Sequence, residues 1–489
     1  MLVLDDIQWA EPAFLDLVEY LAGWSRDAPI LVCCMARPDL EELRPAWGGT
    51  TIQLAPLPRE HVRTLLENLA GPLDADAADA MGRATGGNPL FLEEMLRMLV
   101  EDGILVEREG RLEPLAAVDA LRVPETVQAV LAARLDRLGE DELAVLQRAA
   151  VIGQVFWWGA VADLTPPEEV GEVAGRLQAL VRKDLIKPDA RTFAGEDGFR
   201  FGHILIRDAA YDSMPKRLRA ELHERFAGWV EGHAGESAEL DEIVGHHLEQ
   251  AHGFRVQLGA RGEEEDRLAG RAADRLLRAG RRALGRGDIH AARTLLERAA
   301  ALLAPGDVRR LELAPELGLV LTVSGALSRA EEVLTEAIEH GDGVPQSVVL
   351  AARIERVALR LRSDPRGGWE EDIALVEDAL PGLEAAADLD RRGHRAIARG
   401  WSLLGLVHGL WAGRVAAGEE ALLRARRHAQ AAGDRWQEAE IVGRIAFAAW
   451  CGPLPVHDGI GRCVSLLESA PDDLFMEACC RRWIGVTLS

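Results

Sequence analysis

An apolar run, Leu2-Val-Leu4, ends in two adjacent carboxylates, Asp5 and Asp6, and the chain continues Ile7-Gln-Trp-Ala-Glu-Pro12. An Asp at the carboxyl end of a strand can hold the water shell of Mg²⁺, and a second acid beside it can orient or activate an attacking water. The same residues also suit a strand-end turn in which an Asp caps the next helix. The phosphate half of such chemistry is not in the sequence. No Gly-x-x-x-x-Gly-Lys-[Ser/Thr] occurs, and none of the three lysines, Lys183, Lys187 and Lys216, follows a glycine. His246, His247 and His252 lack an acid or cysteine partner at ligand spacing and read as a solvated helix face. The six cysteines, Cys33, Cys34, Cys451, Cys463, Cys479 and Cys480, show no C-x-x-C spacing, which argues against zinc and fits free thiols in a reducing cytoplasm.

Those acids need a scaffold, and residues 1–60 read as α/β. Leu2–Leu4, Ile30–Met35 and Thr51–Leu54 have strand length, with a helix between the first two whose apolar face is Phe14, Leu15, Val18 and Leu21. Residues 61–120 turn helical: Glu60–Ala70, Asp74–Thr85 and, after the break Gly86-Gly-Asn-Pro89, Leu90–Asp102. Residues 121–235 give helices at Glu125–Leu138, Asp141–Gly153 and Pro167–Lys183, then a hairpin of Leu185–Pro188 and Phe199–Phe201. Three helices and a hairpin make a winged-helix outline, left by one long helix from His203 to about Gly232. Residues 236–267, with the charged, Gly-bearing Gly253–Asp266, read as a linker.

Residues 268–489 are helical and repetitive. Helices starting near Ile289, Leu327, Trp369, Val415 and His457 each follow a partner helix, with a period of roughly 40 residues. Gly-Asp pairs at 287–288, 341–342 and 433–434 punctuate the helix ends. The period exceeds the roughly 34 residues of an ideal tetratricopeptide repeat, so the array is tetratricopeptide-like. The last pattern, Asp473–Leu488, has no polar closing face, which leads one to expect further chain beyond it. The fold class expected is mainly α: a partial α/β segment, a run of helices, a winged helix and an α-solenoid, which the resemblance below turns into a P-loop NTPase remnant and a helical lid ahead of the last two.

The segment Leu2–Pro12 resembles the Walker B stretch of signal-transduction ATPases with numerous domains (STAND), most closely the modules behind bacterial adenylate/guanylate cyclase domains and in large ATP-binding LuxR-type regulators. Leu31-Val-Cys-Cys-Met-Ala-Arg37-Pro is similar to their next strand with its sensor arginine, and Thr85-Gly-Gly-Asn-Pro89-Leu-Phe-Leu-Glu-Glu94 to the Gly-x-Pro segment of the lid. Phe199-Arg-Phe-Gly-His203-Ile-Leu-Ile-Arg-Asp208-Ala-Ala-Tyr211 is similar to the stretch that leaves their winged helix. The likeness implies roles. Asp5 would bind Mg²⁺ through water, Asp6 would polarise the nucleophilic water, and Arg37 would sense the γ-phosphate of ATP. Pro89 would lean on the adenine, and His203 would touch the β-phosphate of bound ADP. Each residue has a plainer use: Arg37 can cap a strand end and pair with Asp39 or Glu41, Asn88-Pro89 can start a helix, and His203 can be a half-buried histidine.

Without the phosphate loop, two carboxylates cannot hold a triphosphate, so the expectation is an N-terminally truncated STAND module that does not hydrolyse ATP by itself. In the family's sheet the loop-bearing strand lies between those at 30–35 and 51–54, so its absence should leave exposed apolar surface. A second reading is a non-catalytic scaffold whose repeats bind a protein or peptide, with a cyclase or LuxR-type output elsewhere. The net charge of −24 disfavours phosphate backbones and acidic membranes, and Glu168, Glu169 and Glu172 make the candidate recognition helix a poor DNA reader. No run of apolar residues is long enough to span a bilayer and no signal peptide is visible, so a cytoplasmic protein is expected.

Overall fold

The structure is a computed structural model describing residues 1–489 except 11, 25–28, 39, 41–49, 72, 74, 102, 109–110, 115–125, 194, 234–239, 365–368, 386–389, 452–454, 469–476, 478–479 and 482–489. It is mainly α, and it divides into two compact units: Met1–Gly48 with Ala269–Ser489, and Gly49–Leu268.

In the first unit, β1 (Leu2–Leu4) and β2 (Val32–Cys34) pair in parallel with Leu2 opposite Val32, joined through α1 (Pro12–Trp24). Ile7, Leu15 and Leu40 form a small core beneath them. Thr51–Leu54, expected as a strand, has no strand structure, and Ile52 and Leu54 are 78% and 92% exposed. A strand needs a neighbour for its N–H and C=O groups, and strand composition alone does not supply one. Leu2, Val3, Phe14, Ile30, Leu31 and Met35 are exposed as well.

The helical pairs of this unit are α12 (Glu263–Gly285, from Ala269 on) with α13 (Ile289–Leu302), α14 (Val308–Val323) with α15 (Leu327–Glu339), α16 (Gln346–Ser363) with α17 (Trp369–Glu384), α18 (Arg391–Leu406) with α19 (Val415–Ala432), and α20 (Arg435–Cys451) with α21 (Val456–Glu468). Three successive cores run through them, centred on Leu296, Leu317 and Leu334, on Ile354, Leu380 and Leu404, and on Ala425, Val442 and Ile445. The Gly-Asp dipeptides explain two of the corners. Gly433 takes the left-handed conformation (φ 65°) that ends α19, and Asp434 then accepts the Gln437 N–H to start α20. Gly287 and Asp288 do the same between α12 and α13, whereas Gly341-Asp342 sits in a 3-10 turn without a side-chain cap. The expected helix at Asp473–Leu488 lies almost wholly outside the described residues.

Helices α18 and α19 meet backbone to backbone. A Cβ at Gly418 would lie 2.8 Å from Gly409 N and 2.9 Å from Gly405 O, so any side chain must drive the helices apart. Gly418→Val should destabilise this unit by about 1–3 kcal/mol, the usual cost of overpacking, read from the urea midpoint; an unchanged midpoint would contradict this close packing.

In the second unit, α2 (Arg59–Ala70), α3 (Ala75–Ala84) and α4 (Pro89–Glu101) pack around Leu66, Leu92 and Met95, with the hairpin β3 (Leu105–Arg108) and β4 (Arg111–Pro114) following. Next come α5 (Val127–Leu135), α6 (Glu140–Ile152), β5 (Val155–Trp157), α7 (Trp158–Leu164), α8 (Val173–Arg182), β6 (Ile186–Phe193) and β7 (Glu196–Phe201). The three strands form an antiparallel sheet in the order β5-β7-β6, over which Phe156 stacks on Phe199. Glu94 on α4 and Arg134 on α5 form a buried ion pair at 2.7 Å, which ties the helical triplet to the segment that follows.

Two expectations are corrected here. The long helix from His203 is two helices, α9 (Ile204–Asp212) and α10 (Lys216–His233), broken at Pro215, which has no N–H to continue α9. The 236–267 linker is largely α11 (Asp241–Gln257), packed on α10 through Val244, Leu248 and Ala251, and the start of α12. Its buried positions Val244, His247, Leu248 and Ala251 recur at helical spacing, and Glu242 lies on the exposed side.

Candidate functional site

Asp5 and Asp6 follow β1 directly, and both are exposed. Asp6 sits in the left-handed region (φ 54°, ψ 35°), a conformation that costs a non-glycine residue about 1–3 kcal/mol and clusters at functional sites. The turn is held by short bonds: the Asp6 N–H donates to Asp5 Oδ1 (3.0 Å) and Gln8 Nε2 donates to Asp6 Oδ1 (2.9 Å). Gln8 Oε1 accepts the Arg37 N–H at 3.2 Å, while the Met35 N–H donates to Leu4 O and the Ile7 N–H to Met35 O. Parallel pairing of β1 and β2 therefore brings Asp5, Asp6 and Arg37 to one strand-end corner, with Gln8 as the bridge that sequence reasoning did not single out. Its only signal was its place two residues after the acids.

Pro89 and His203 belong to the other unit. Pro89 is exposed at the first position of α4, where its missing N–H costs nothing, and Asn88 Oδ1 accepts the Phe91 N–H at 3.1 Å as the cap. Gly87 (φ 74°) packs so tightly that a Cβ would fall 2.5 Å from Leu57 O. His203 is half-buried and caps α9, its Nδ1 accepting the Leu205 N–H at 3.1 Å. Both residues thus have the local helix-starting uses that their sequence context allows.

The donor set fits half of a Mg²⁺-nucleotide site. Mg²⁺ is content with one or two carboxylates when phosphates and waters complete its octahedron, and Asp5 and Asp6 can offer those. Among the described residues no three His, Cys, Asp or Glu side chains gather as metal ligands, and the sequence has no loop to cradle the phosphates.

Two polar clusters escaped the sequence reading. In the second unit, Tyr211 Oη, His223 Nε2, His223 Nδ1 and His247 Nδ1 form a chain with both links at 2.8 Å. His247, expected on a solvated face, is buried against Phe226, while its neighbour His246 is exposed. Burial, with the cationic side chains of Arg207 and Arg219 nearby, pushes His223 down to about 3, and burial pushes His247 well below its usual value. Either tautomer assignment keeps both rings neutral with one proton in each link.

The second cluster is an ionic layer inside the repeats. Arg281 Nε and Arg395 Nη1 reach Glu316 (2.7 and 3.4 Å), Arg395 Nε reaches Asp434 (2.6 Å), and Arg399 Nε reaches Glu355 (3.2 Å). These residues come from α12, α14, α16, α18 and the start of α20, the first helix of each pair. Glu316, Glu355, Arg395 and Arg399 border a cavity of about 170 Å³.

No family model matches the chain. An uncharacterized protein of Rhizobium meliloti (strain 1021) is 25% identical over 267 residues, 51% of this chain and 24% of that protein, so the match spans about a quarter of the relative's length. A STAND protein with a tetratricopeptide repeat sensor from Pyrococcus horikoshii is similar at a TM-score of 0.35 and 12% identity, over 99% of this chain and 77% of that one. The APC/C hetero-tetramer Cut9-Hcn1 is similar at a TM-score of 0.32 and 11% identity, over 87% of this chain and 72% of that one. No described helix is long and apolar enough to cross a membrane.

Proposed function

We propose that these 489 residues carry the metal-and-water corner, the helical lid, the winged helix and the protein-binding repeats of a STAND-type nucleotide switch. The reading rests chiefly on the corner itself: two acids at the end of β1, one held in a left-handed turn, bridged through Gln8 to the Arg37 backbone beyond β2. The order α6, β5, α7, α8, β6, β7 suits the winged helix, and the helix pairs suit a sensor that docks a protein or peptide on its first-helix face. In this reading Asp5 holds the Mg²⁺ waters, Asp6 orients the nucleophile, and Arg37, Pro89 and His203 take the γ-phosphate, adenine and β-phosphate contacts. The Ile204–Tyr211 segment favours a nucleotide cyclase as the output module over a LuxR-type regulator. Without a phosphate cradle the 489 residues act as an interaction scaffold and not as an ATPase.

Phosphate release from ATP tests this directly. The 489-residue chain should show no turnover above background. The same chain, extended before Met1 by a strand and Gly-rich phosphate loop, should hydrolyse ATP and lose about 10²-fold or more of that rate in Asp6→Asn, as loss of a water-positioning acid does. Turnover by the unextended chain, or a folded extended chain indifferent to Asp6→Asn, would overturn the reading.

A further inference from the structure

In a helix-pair array each repeat ordinarily contacts only its neighbours, which leaves the concave face open to a ligand. The first helices α14, α16, α18 and α20 do pack in series. Three contacts reach further. Arg392 and Arg395 of α18 pass over α16 and meet Glu312 (3.5 Å) and Glu316 (3.4 Å) of α14. Trp436, at the start of the fifth pair, lies on Gly287 at the corner of the first pair, where a Cβ would sit 2.7 Å from Trp436 Cδ1. Its ring packs on the core around Leu296, Leu317 and Leu334, although the buried face of its own helix belongs to the core around Val442 and Ile445.

These contacts are joined to one another. Glu316 is held by Arg281 of the first pair (2.7 Å) as well as by Arg395 of the fourth. Arg395 also holds Asp434 (2.6 Å), whose carboxylate caps the helix that carries Trp436. Gln437 Nε2, on the same turn as Trp436, donates to Arg395 O at 3.2 Å. An ionic line therefore runs Arg281, Glu316, Arg395, Asp434 from the first pair to the fifth, and Trp436 closes it back onto the first. Glu316 and Asp434 are buried, so salt screens this line far less than it screens a surface pair.

We propose that the line and Trp436 form a clasp that shuts the first-helix face of the repeats on itself, an autoinhibitory contact built into the array. Arg395, Trp436 and Gln437, polar or aromatic groups of the kind that would meet a partner on that face, are engaged by the array's own residues. A partner must displace the Trp436 contact and the Arg395 ties, and its apparent affinity is reduced by the fraction of chains that are open. The consequence for binding rests on the protein-docking part of the proposed function; the clasp itself does not, and it is independent of the nucleotide corner.

Amide hydrogen exchange by mass spectrometry on the full chain, with no ligand added, tests the clasp. The readout is the first-pair corner, where the Gly287 N–H donates to Leu284 O and the Asp288 N–H to Ala283 O. Trp436→Ala removes the closing contact, and Arg395→Gln cuts the ionic line in its middle. Each should speed exchange at that corner by about tenfold or more, the scale of losing a partly buried aromatic contact or ion tie. Small-angle scattering should show a larger radius of gyration for both at an unchanged helical circular dichroism signal. Leu423→Ala, on the exposed side of α19, should change neither. A corner that ignores Arg395→Gln while responding to Trp436→Ala would reduce the contact to a local patch and overturn the clasp. An unchanged radius, or faster exchange spread evenly over all five pairs with loss of helical signal, would overturn it too. None of these results depends on what the phosphate-release assay returns.

Discussion

Arg399→Ala should destabilise the repeat unit by about 3–5 kcal/mol, the usual effect of removing one partner from a buried ion pair. Arg399 and Glu355 are both buried, and burial already pushes the Glu355 carboxyl up while Arg399 pulls it back. Without the guanidinium that restraint goes, and Glu355 must be buried charged or take up a proton. The sign follows from linkage. A carboxyl whose folded-state value is raised above its unfolded value loses stability as pH rises, so the deficit against wild type should be larger at pH 8 than at pH 5. The double variant Arg399→Met with Glu355→Leu removes both charges and should lie closer to wild type than the single variant, as hydrophobic replacements of buried pairs do. Urea unfolding at the two pH values checks all of this. A single variant within about 1 kcal/mol of wild type at pH 8 would show the layer to be solvated, like an ordinary surface pair.

Acid should selectively open the unit that holds Tyr211, His223 and His247. Both histidines are held neutral, His223 with its value lowered to about 3 by burial, then by His246, Arg207 and Arg219. The folded-state values lie below the unfolded ones, so the stabilisation is complete above about pH 6.5 and falls as pH drops towards the folded values. In that window each buried histidine costs about 1.4 kcal/mol per pH unit, because only the unfolded chain takes the proton. Between pH 7 and pH 5 the pair should therefore remove several kcal/mol. Hydrogen exchange by mass spectrometry would locate the loss in α10 and α11. Replacing His223 and His247 together by Phe and Leu should flatten the pH dependence, and an unchanged slope would contradict the neutral buried pair.

The repeat architecture was legible because its punctuation is local. Gly433 can only end a helix cheaply in the left-handed region, and Asp434 can then cap the next, so two adjacent letters fix one corner. At the strand end, an apolar triplet followed by acids suits a metal corner and a helix cap equally, and only the resemblance carried by Leu2–Pro12 separates the two. Tertiary consequences were less visible. Thr51–Leu54 has strand composition but forms no strand with the described residues, and composition cannot report whether a partner lies alongside. Arg395 and Arg399 look like one face of a charged surface helix, yet Glu316, Glu355 and Asp434 come from other helices and bury them. The same limit hid His247, whose helix was read as a solvated face until its packing against α10 was seen. Pro215, by contrast, stood in plain view inside the expected long helix and should have divided it.

The most direct measurement is equilibrium titration of the 489-residue chain with a fluorescent ATP analogue in Mg²⁺. No saturable binding tighter than about 1 mM is expected, since two exposed carboxylates without a cradle offer a triphosphate little beyond a shared metal ion. Micromolar binding that weakens on Asp5→Asn would contradict it, and would place a phosphate site in this chain that neither its sequence nor its described residues contain.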